Sequence, residues 1–330
     1  MRFQHQPKLT GLTDAIKSSV HGYASQIETL ICCLISGGHV SALGDPGTGK
    51  TLTMKCLAHA IGDGNYQRIQ MVPDMMPADI LGTEVLDRDS SSFRFVHGPL
   101  NPTVNLLLAD EINRTPPRTQ SALLESMEEG QISVSGYSAH TYRLHEVFML
   151  MATQNPIESD GVYPLPEAQL DRFAVQLLYP KLDRATERLV LSRTAFKRHT
   201  LSDALSNVLT LSDIISIREE IEASIHCSDS ALEYAHNLCY ATHRDQCPET
   251  LKGVFRTGVS VRAAQWALRL ARVHAYLVGR EYITADDIKF VIPSVLRHRL
   301  YMSEEMEMKG WSPDRAIAEI LKAIPISTGD

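Results

Sequence analysis

The stretch Gly44-Asp45-Pro46-Gly47-Thr48-Gly49-Lys50-Thr51 has the spacing G-x-x-x-x-G-K-[ST]. Glycines so placed let a turn aim successive backbone N–H groups at one anion, and the lysine adds a full positive charge where phosphates would lie. The hydroxyl of Thr51 is the kind of hard donor that Mg²⁺ accepts. The chemistry to expect is binding of a nucleotide polyphosphate with its metal, cradled by Gly44, Asp45, Pro46, Gly47, Thr48, Gly49, Lys50, Thr51 and the adjoining Leu52.

Further along, Asn105-Leu106-Leu107-Leu108-Ala109-Asp110-Glu111 is an apolar run closed by two acids. At the carboxyl end of a buried strand, where open α/β sheets bind ligands, Asp110 would hold Mg²⁺ and Glu111 would orient or deprotonate an attacking water. A surface acidic pair that merely ends a strand is the competing reading, and a preceding phosphate loop weighs against it. Asn155, in Gln154-Asn155-Pro156, carries an amide able to hydrogen-bond a γ-phosphate or a water, although a turn residue before proline needs no such role. Arg172 is either a plain surface arginine or a stabiliser of charge on a neighbour's nucleotide.

These residues need a scaffold, and hydrophobic periodicity outlines one. His39-Val40-Ser41-Ala42-Leu43 reads as a short buried strand and Thr51 to Ile61 as a helix, so a helix N-terminus would face the phosphates. Upstream, Ile16, Val20, Ile27, Leu30, Ile31 and Leu34 recur at three and four, giving a helical stripe over Gly11 to Ser36. Val20-His21-Gly22 interrupts it, as an apolar crook for an adenine ring or as an ordinary inter-helix turn. Gln67 to Met71 is a second strand, Pro73 to Gly82 a short helix and turn, and Thr83 to Val96 a hairpin around the tip Asp87 to Ser92. After the Asp110 strand, Asn113 to Arg118 makes a stiff corner into a helix over Thr119 to Gly130. Its core face is Leu123, Leu124 and Met127, and Glu125, Glu128 and Glu129 form its solvated side. A second hairpin spans Gln131 to Glu146 around Ser135 to Ser138; Val147 to Thr153 and Ala174 to Tyr179 are the fourth and fifth core strands. From Pro180 no glycine occurs until Gly253, and helical spacing continues to the C-terminus. Ser260 opens an amphipathic helix ended by Gly279-Arg280; Thr284 caps another through Val291, and Pro293 starts a last packed segment. The expected units are residues 1–180, α/β, and residues 181–330, all helical.

Composition excludes more than it selects. A hydrophobic content of 44% and charged content of 22% are those of an ordinary globular protein. The net charge of −7 gives no general electrostatic footprint for nucleic acid, though a local basic patch stays open. Met1 to Pro7 has no apolar region behind its positive residue and no stretch approaches membrane-spanning length, so no membrane segment is expected and the compartment to expect is cytoplasmic. The six cysteines lack C-x-x-C or zinc spacing and read as buried free thiols.

Phosphate loop, Asp-Glu strand, polar residue after a fourth strand, arginine before the fifth and arginine in a helical lid follow the order of an AAA+ P-loop NTPase. Arg68-Ile69-Gln70, Pro73-Asp74, Gly98-Pro99-Leu100, Leu107 to Arg114, Thr119 to Glu125, Ala152 to Pro156, Tyr163 to Phe173, Gly258 to Ala263 and Leu296-Arg297-His298-Arg299 resemble the blocks of the MoxR family. The likeness runs from about Gly11 to Tyr301. It implies a five-stranded parallel sheet followed by an all-helical lid, with ATP and Mg²⁺ as cofactors. Lys50 and Thr51 then become Walker A, Asp110 and Glu111 Walker B, Asn155 sensor 1, Arg172 an arginine finger acting on the adjacent subunit, and Arg262 sensor 2. Residues 83–97 become the insert in helix 2 and 132–146 the hairpin before sensor 1, both facing the pore of a homo-oligomeric ring, a hexamer by expectation. The resemblance further implies Mg-dependent ATP hydrolysis used to remodel or activate partner proteins, among them partners with a von Willebrand factor A domain. A nucleic-acid translocase and a chelatase-type regulatory subunit are the alternatives. The acidic balance and hairpin tips without basic clusters argue against the first, so no nucleic-acid partner is expected. Two departures from the family pattern stand out. Val261 replaces the usual proline, which removes rigidity and keeps the charge. Asp45 puts an acid near phosphate, which is unfavourable unless it turns away. Client, ring number, and whether Arg262 acts on its own nucleotide or a neighbour's are left open.

Overall fold

Five parallel strands form the central sheet; Leu106 to Ala109 and Met149 to Ala152 are apolar and buried at consecutive positions, whereas the edge strand Tyr66-Gln67-Arg68-Ile69-Gln70 buries only Ile69. The computed structural model describes residues 3–87, 92–134, 140–155, 162–194 and 205–326. Helices α1 (Gln6–Ser19) and α2 (Ala24–Ile35) lead into β1 (Val40–Gly44), α3 (Lys50–Ala60), β2 (Tyr66–Gln70) and α4 (Pro77–Leu81). A hairpin of β3 (Gly82–Asp87) and β4 (Ser92–His97) precedes β5 (Leu106–Asp110) and α5 (Pro117–Glu129). A second hairpin, β6 (Gln131–Val134) and β7 (His140–Arg143), precedes β8 (Met149–Gln154), the single turn α6 (Glu167–Leu170) and β9 (Val175–Tyr179). The remainder is helical: α7 (Arg184–Thr194), α8 (Leu211–Ser224), α9 (Asp229–Tyr240), α10 (Val261–Leu277), α11 (Ala285–Leu296), α12 (Glu304–Met308) and α13 (Pro313–Ala323).

The sheet order is β2-β5-β8-β1-β9, all parallel. Side chains alternate across a strand, so the central strands β5 and β8, covered on both faces, are apolar at successive positions. Leu106, Leu108, Met149, Met151, Val40 and Ala42 enter one core with α1, α2 and α3. Leu107, Ala109, Leu150 and Ala152 enter a second core with Ile80, Leu123, Leu124 and Met127 of α4 and α5. The first core continues into the C-terminal helices through Ile214, Leu238, Leu270, Ile288 and Leu296. β9 is an edge strand, and edges left open invite pairing. Its carbonyls are instead taken by side chains: Gln26 Nε2 donates to Leu178 O at 2.9 Å and Arg297 Nη1 to Gln176 O at 3.0 Å, and just before the strand Arg299 Nη1 donates to Ala174 O at 3.2 Å.

α11 corrects one expectation. Rather than stopping at Val291, it runs through Pro293 to Leu296. A proline this close to a helix end forfeits one hydrogen bond, and burial of Ile292, Val295 and Leu296 keeps the turn in place. Its start is as expected, with Thr284 and Asp287 forming a reciprocal cap. Four of the six free cysteines are buried, while Cys227 and Cys247 are only half-buried. The hairpin tips at 88–91 and 135–139 lie outside the described residues. The hairpin stems touch: Phe95 stacks on Tyr142 at 5.5 Å and His97 meets the same ring at 4.6 Å. Among the described residues, no helix is long and apolar enough to cross a membrane.

Candidate active site

Parallel register brings Gln70 level with Asp110, Leu43 level with Gln154, and Gly44 level with Tyr179, so the carboxyl ends of the strands share one edge. The phosphate loop turns off β1 there. Gly47 and Gly49 have φ of 80° and 92°, values that glycine adopts freely, and Gly49 caps α3 so that the helix's first N–H groups face outward. Lys50 Nζ donates to the loop's own carbonyls, Gly44 O and, at 2.9 Å, Asp45 O. Burial pulls the Lys50 pKa down, and Asp110, Asp45 and Glu111 push it back up. Asp45 turns its carboxylate to Lys181 Nζ at 3.5 Å, which removes the objection to an acid at this point of the loop.

Asp110 is nearly buried and fully engaged. Thr153 Oγ1 donates to its Oδ1 at 2.6 Å; its Oδ2 receives Arg68 Nη2 at 2.7 Å and Nε at 3.2 Å, with Thr51 Oγ1 at 3.3 Å. The hydroxyl of Thr51 beside this carboxylate is a pair of hard oxygens suited to Mg²⁺, a metal that draws its remaining ligands from phosphate and water. Glu111 adopts φ 60°, an uncommon left-handed conformation for a residue with a side chain. Its N–H donates to Thr153 Oγ1 at 2.9 Å, and its Oε2 receives Gln70 Nε2 at 2.9 Å and Arg114 Nε at 3.0 Å. The bent backbone directs the carboxylate along the sheet edge instead of into the core. Arg68, Gln70 and Thr153 were not singled out by chemistry in the sequence. The signal was there in part: residues 68 and 70 share one side of β2, beside the end of β5.

β8 delivers Asn155, which is 6% exposed, to the same edge, where Gln154 Nε2 donates to Ser41 Oγ at 3.1 Å. Pro156 lies outside the described residues. The crook at Val20-His21-Gly22 is a turn between α1 and α2, with Gly22 against Leu182 and Thr186, and Tyr23 just after it reaches the phosphate loop. A Cβ on Gly49 would sit 3.7 Å from the ring of Tyr23, whose hydroxyl donates to Pro180 O at 2.8 Å.

Arg172 and Arg262 are not at this edge. Both are bound to Glu128: Arg172 Nε lies 2.8 Å from its Oε2, and Arg262 Nη2 donates to its Oε1. Glu125, Glu128 and Glu129 are exposed, as the expected solvated side of α5 requires, and Glu128 in addition binds two arginines. Helical periodicity correctly places it off the apolar stripe and cannot show that two arginines from distant segments come to it. The same corner holds Asp171, whose carboxylate accepts from Ser260 Oγ at 3.1 Å and from buried Arg299 Nε at 2.7 Å. Val261, where proline was expected, is 70% exposed and begins α10 without it.

Against known proteins, residues 39–175 match the ATPase family associated with various cellular activities (AAA), and residues 252–320 match the AAA lid domain. The chain is 37% identical over 298 residues to Uncharacterized protein YeaC of Bacillus subtilis (strain 168), covering 90% of this chain and 88% of that one. It is 35% identical over 318 residues to Chaperone MoxR1 of Mycobacterium tuberculosis, covering 94% and 80%. Among solved structures, a protein of Cytophaga hutchinsonii assigned as an ATPase superposes with a TM-score of 0.87 at 34% identity, over 98% of this chain and 96% of that one.

Proposed function

Since the chain belongs to the MoxR branch of the AAA+ ATPases, we propose that it hydrolyses ATP with Mg²⁺ in a homo-oligomeric, hexameric ring and uses turnover to remodel or activate partner proteins. Residues 1–180 are the nucleotide-binding unit in this reading and 181–330 the lid. Lys50 leaves the loop carbonyls for the β- and γ-phosphates. Thr51 and Asp110 hold Mg²⁺, which when bound neutralises phosphate charge. Glu111 orients or deprotonates the water, and Asn155 fixes the water or the γ-phosphate.

The observation that carries the ring is the separation of the arginines from the rest. α5 begins just after the Glu111 turn, and Glu128 lies near its far end, about 16 Å along the axis at 1.5 Å per residue. Arginines seated there serve a neighbour's nucleotide better than their own, and this favours action in trans for Arg262 as well as Arg172. Remodelling draws support from the chaperone name of the mycobacterial relative. Exposed Val85, Leu86, Phe93 and Val96 on the first hairpin offer apolar surface to a protein, such as one with a von Willebrand factor A domain. Nucleic acid would instead call for several phosphate-neutralising charges.

Affinity capture with a Glu111→Gln trap tests this reading. The expected outcome is a protein client that stimulates the wild-type ATPase. Stimulation by DNA, with steeply salt-dependent binding, would transfer the chain to the motor alternative.

A further inference from the structure

Arginines that act across a subunit boundary need something on their own subunit to aim them. We propose that Glu128 is that positioning residue: one carboxylate seats Arg172 and Arg262 together, so that both guanidiniums meet an adjoining nucleotide in one geometry. This rests on the trans reading of the two arginines.

The division of the carboxylate is specific, with Oε2 taking the arginine of the 171–173 turn and Oε1 the arginine of α10. Among the described residues Arg262 has one further acid partner, Asp171 at 3.8 Å, and that carboxylate already serves Arg299 and Ser260. Without Glu128, both long side chains regain most of their rotamers. The carboxylate itself is on a firm base: Leu124 and Met127 of the same helix are buried, and Gly130 closes the helix with φ 62°. An acid in the last turn of a helix faces the negative end of the dipole, and α5 has no basic residue of its own in that turn to offset it. The two arginines supply the compensation, so the three groups form one unit that ties α5, the 171–173 turn and the lid helix α10 at a single face.

Misplacing both guanidiniums should slow the chemical step and spare nucleotide binding, which uses the phosphate loop between β1 and α3. Glu128→Gln should lower kcat by about ten- to a hundredfold with KM within about threefold of wild type, in line with the cost of a misplaced catalytic group. Mixed assemblies, purified through two different affinity tags so that each contains both variants, assign the residue to a face. Glu128→Gln with Glu111→Gln should recover activity, because some sites pair an intact Glu111 with an intact arginine seat. Glu128→Gln with Arg172→Ala should not, since every seat is then damaged. Wild-type or raised kcat in Glu128→Gln overturns the proposal, as does recovery with Arg172→Ala or recovery with neither partner. Wild-type turnover in Arg172→Ala alone would instead bring down the trans reading beneath it.

Discussion

His39, just before β1, is built to stay neutral, and acid should therefore unfold the sheet through it. Its Nδ1 accepts the Leu150 N–H at 3.0 Å, and its other nitrogen donates to the Met127 backbone. A second proton would have to enter at Nδ1, setting N–H against N–H between β1 and β8. Burial accordingly lowers its pKa from 6.5 to about 4. The folded pKa lies below the unfolded one, so the unfolded chain takes the proton first. Stability is whole above pH 6.5 and falls as pH drops through 4. At 1.36 kcal/mol per unit the loss across that window is about 3 kcal/mol, trimmed toward about 2 by the ring's residual solvent contact. Denaturant midpoints measured from pH 8 to 4.5 on wild type and His39→Gln check this, because glutamine can accept the same N–H without titrating. The wild-type curve should fall toward the variant's by that amount below pH 6.5. Parallel curves through the window would refute the assignment of the acid limb to His39.

Other expectations are read by simpler assays. Lys50→Ala should abolish binding of a fluorescent ATP analogue, and Glu111→Gln should keep binding and lose turnover; hydrolysis at the wild-type rate would show that Glu111 is not the group that activates water. Arg172→Ala should bind ATP yet turn over about 10³-fold more slowly, with wild-type activity itself rising with protein concentration as subunits assemble. Arg299→Met should cost about 3–5 kcal/mol in denaturant unfolding, because Asp171 and the carbonyls of Phe173 and Ala174 lose a donor buried beside them. Tyr142→Ala removes the ring that packs on both Phe95 and His97 and should lower stability by about 1 kcal/mol; an unchanged melting temperature would mean that the two hairpins gain nothing from touching.

What was legible in the sequence follows from how local its cause is. The phosphate loop was readable because glycine conformation, lysine charge and the following helix all act within a few residues of one another. The core strands were readable because burial on both faces removes polar residues from consecutive positions, as in Leu106-Leu107-Leu108-Ala109. Pro293 misled because a proline's cost depends on what the next turn buries, and Val295 and Leu296 are in the core. Arg68 and Gln70 passed without a role because their meaning depends on β2 pairing with β5, a register that no property of β2 alone sets.

Glu128 marks the limit more sharply, and physical reasons put it there. A helix position off the apolar stripe is solvated by default, and the default is overturned only by partners that arrive through the tertiary fold. Arg262 comes from 134 residues away, on a helix whose own amphipathic pattern accounts for its burial and leaves its first turn unexplained. An exposed ion pair of this kind contributes little to stability, so folding places no strong demand on the sequence to announce it. Function can demand it nonetheless. If the two guanidiniums act on a second subunit, as proposed, they gain from being held before it arrives, since the ordering is then complete when the phosphates meet them. A carboxylate that looks idle on one chain is thus the kind of residue whose purpose is legible only from the face that it helps to build.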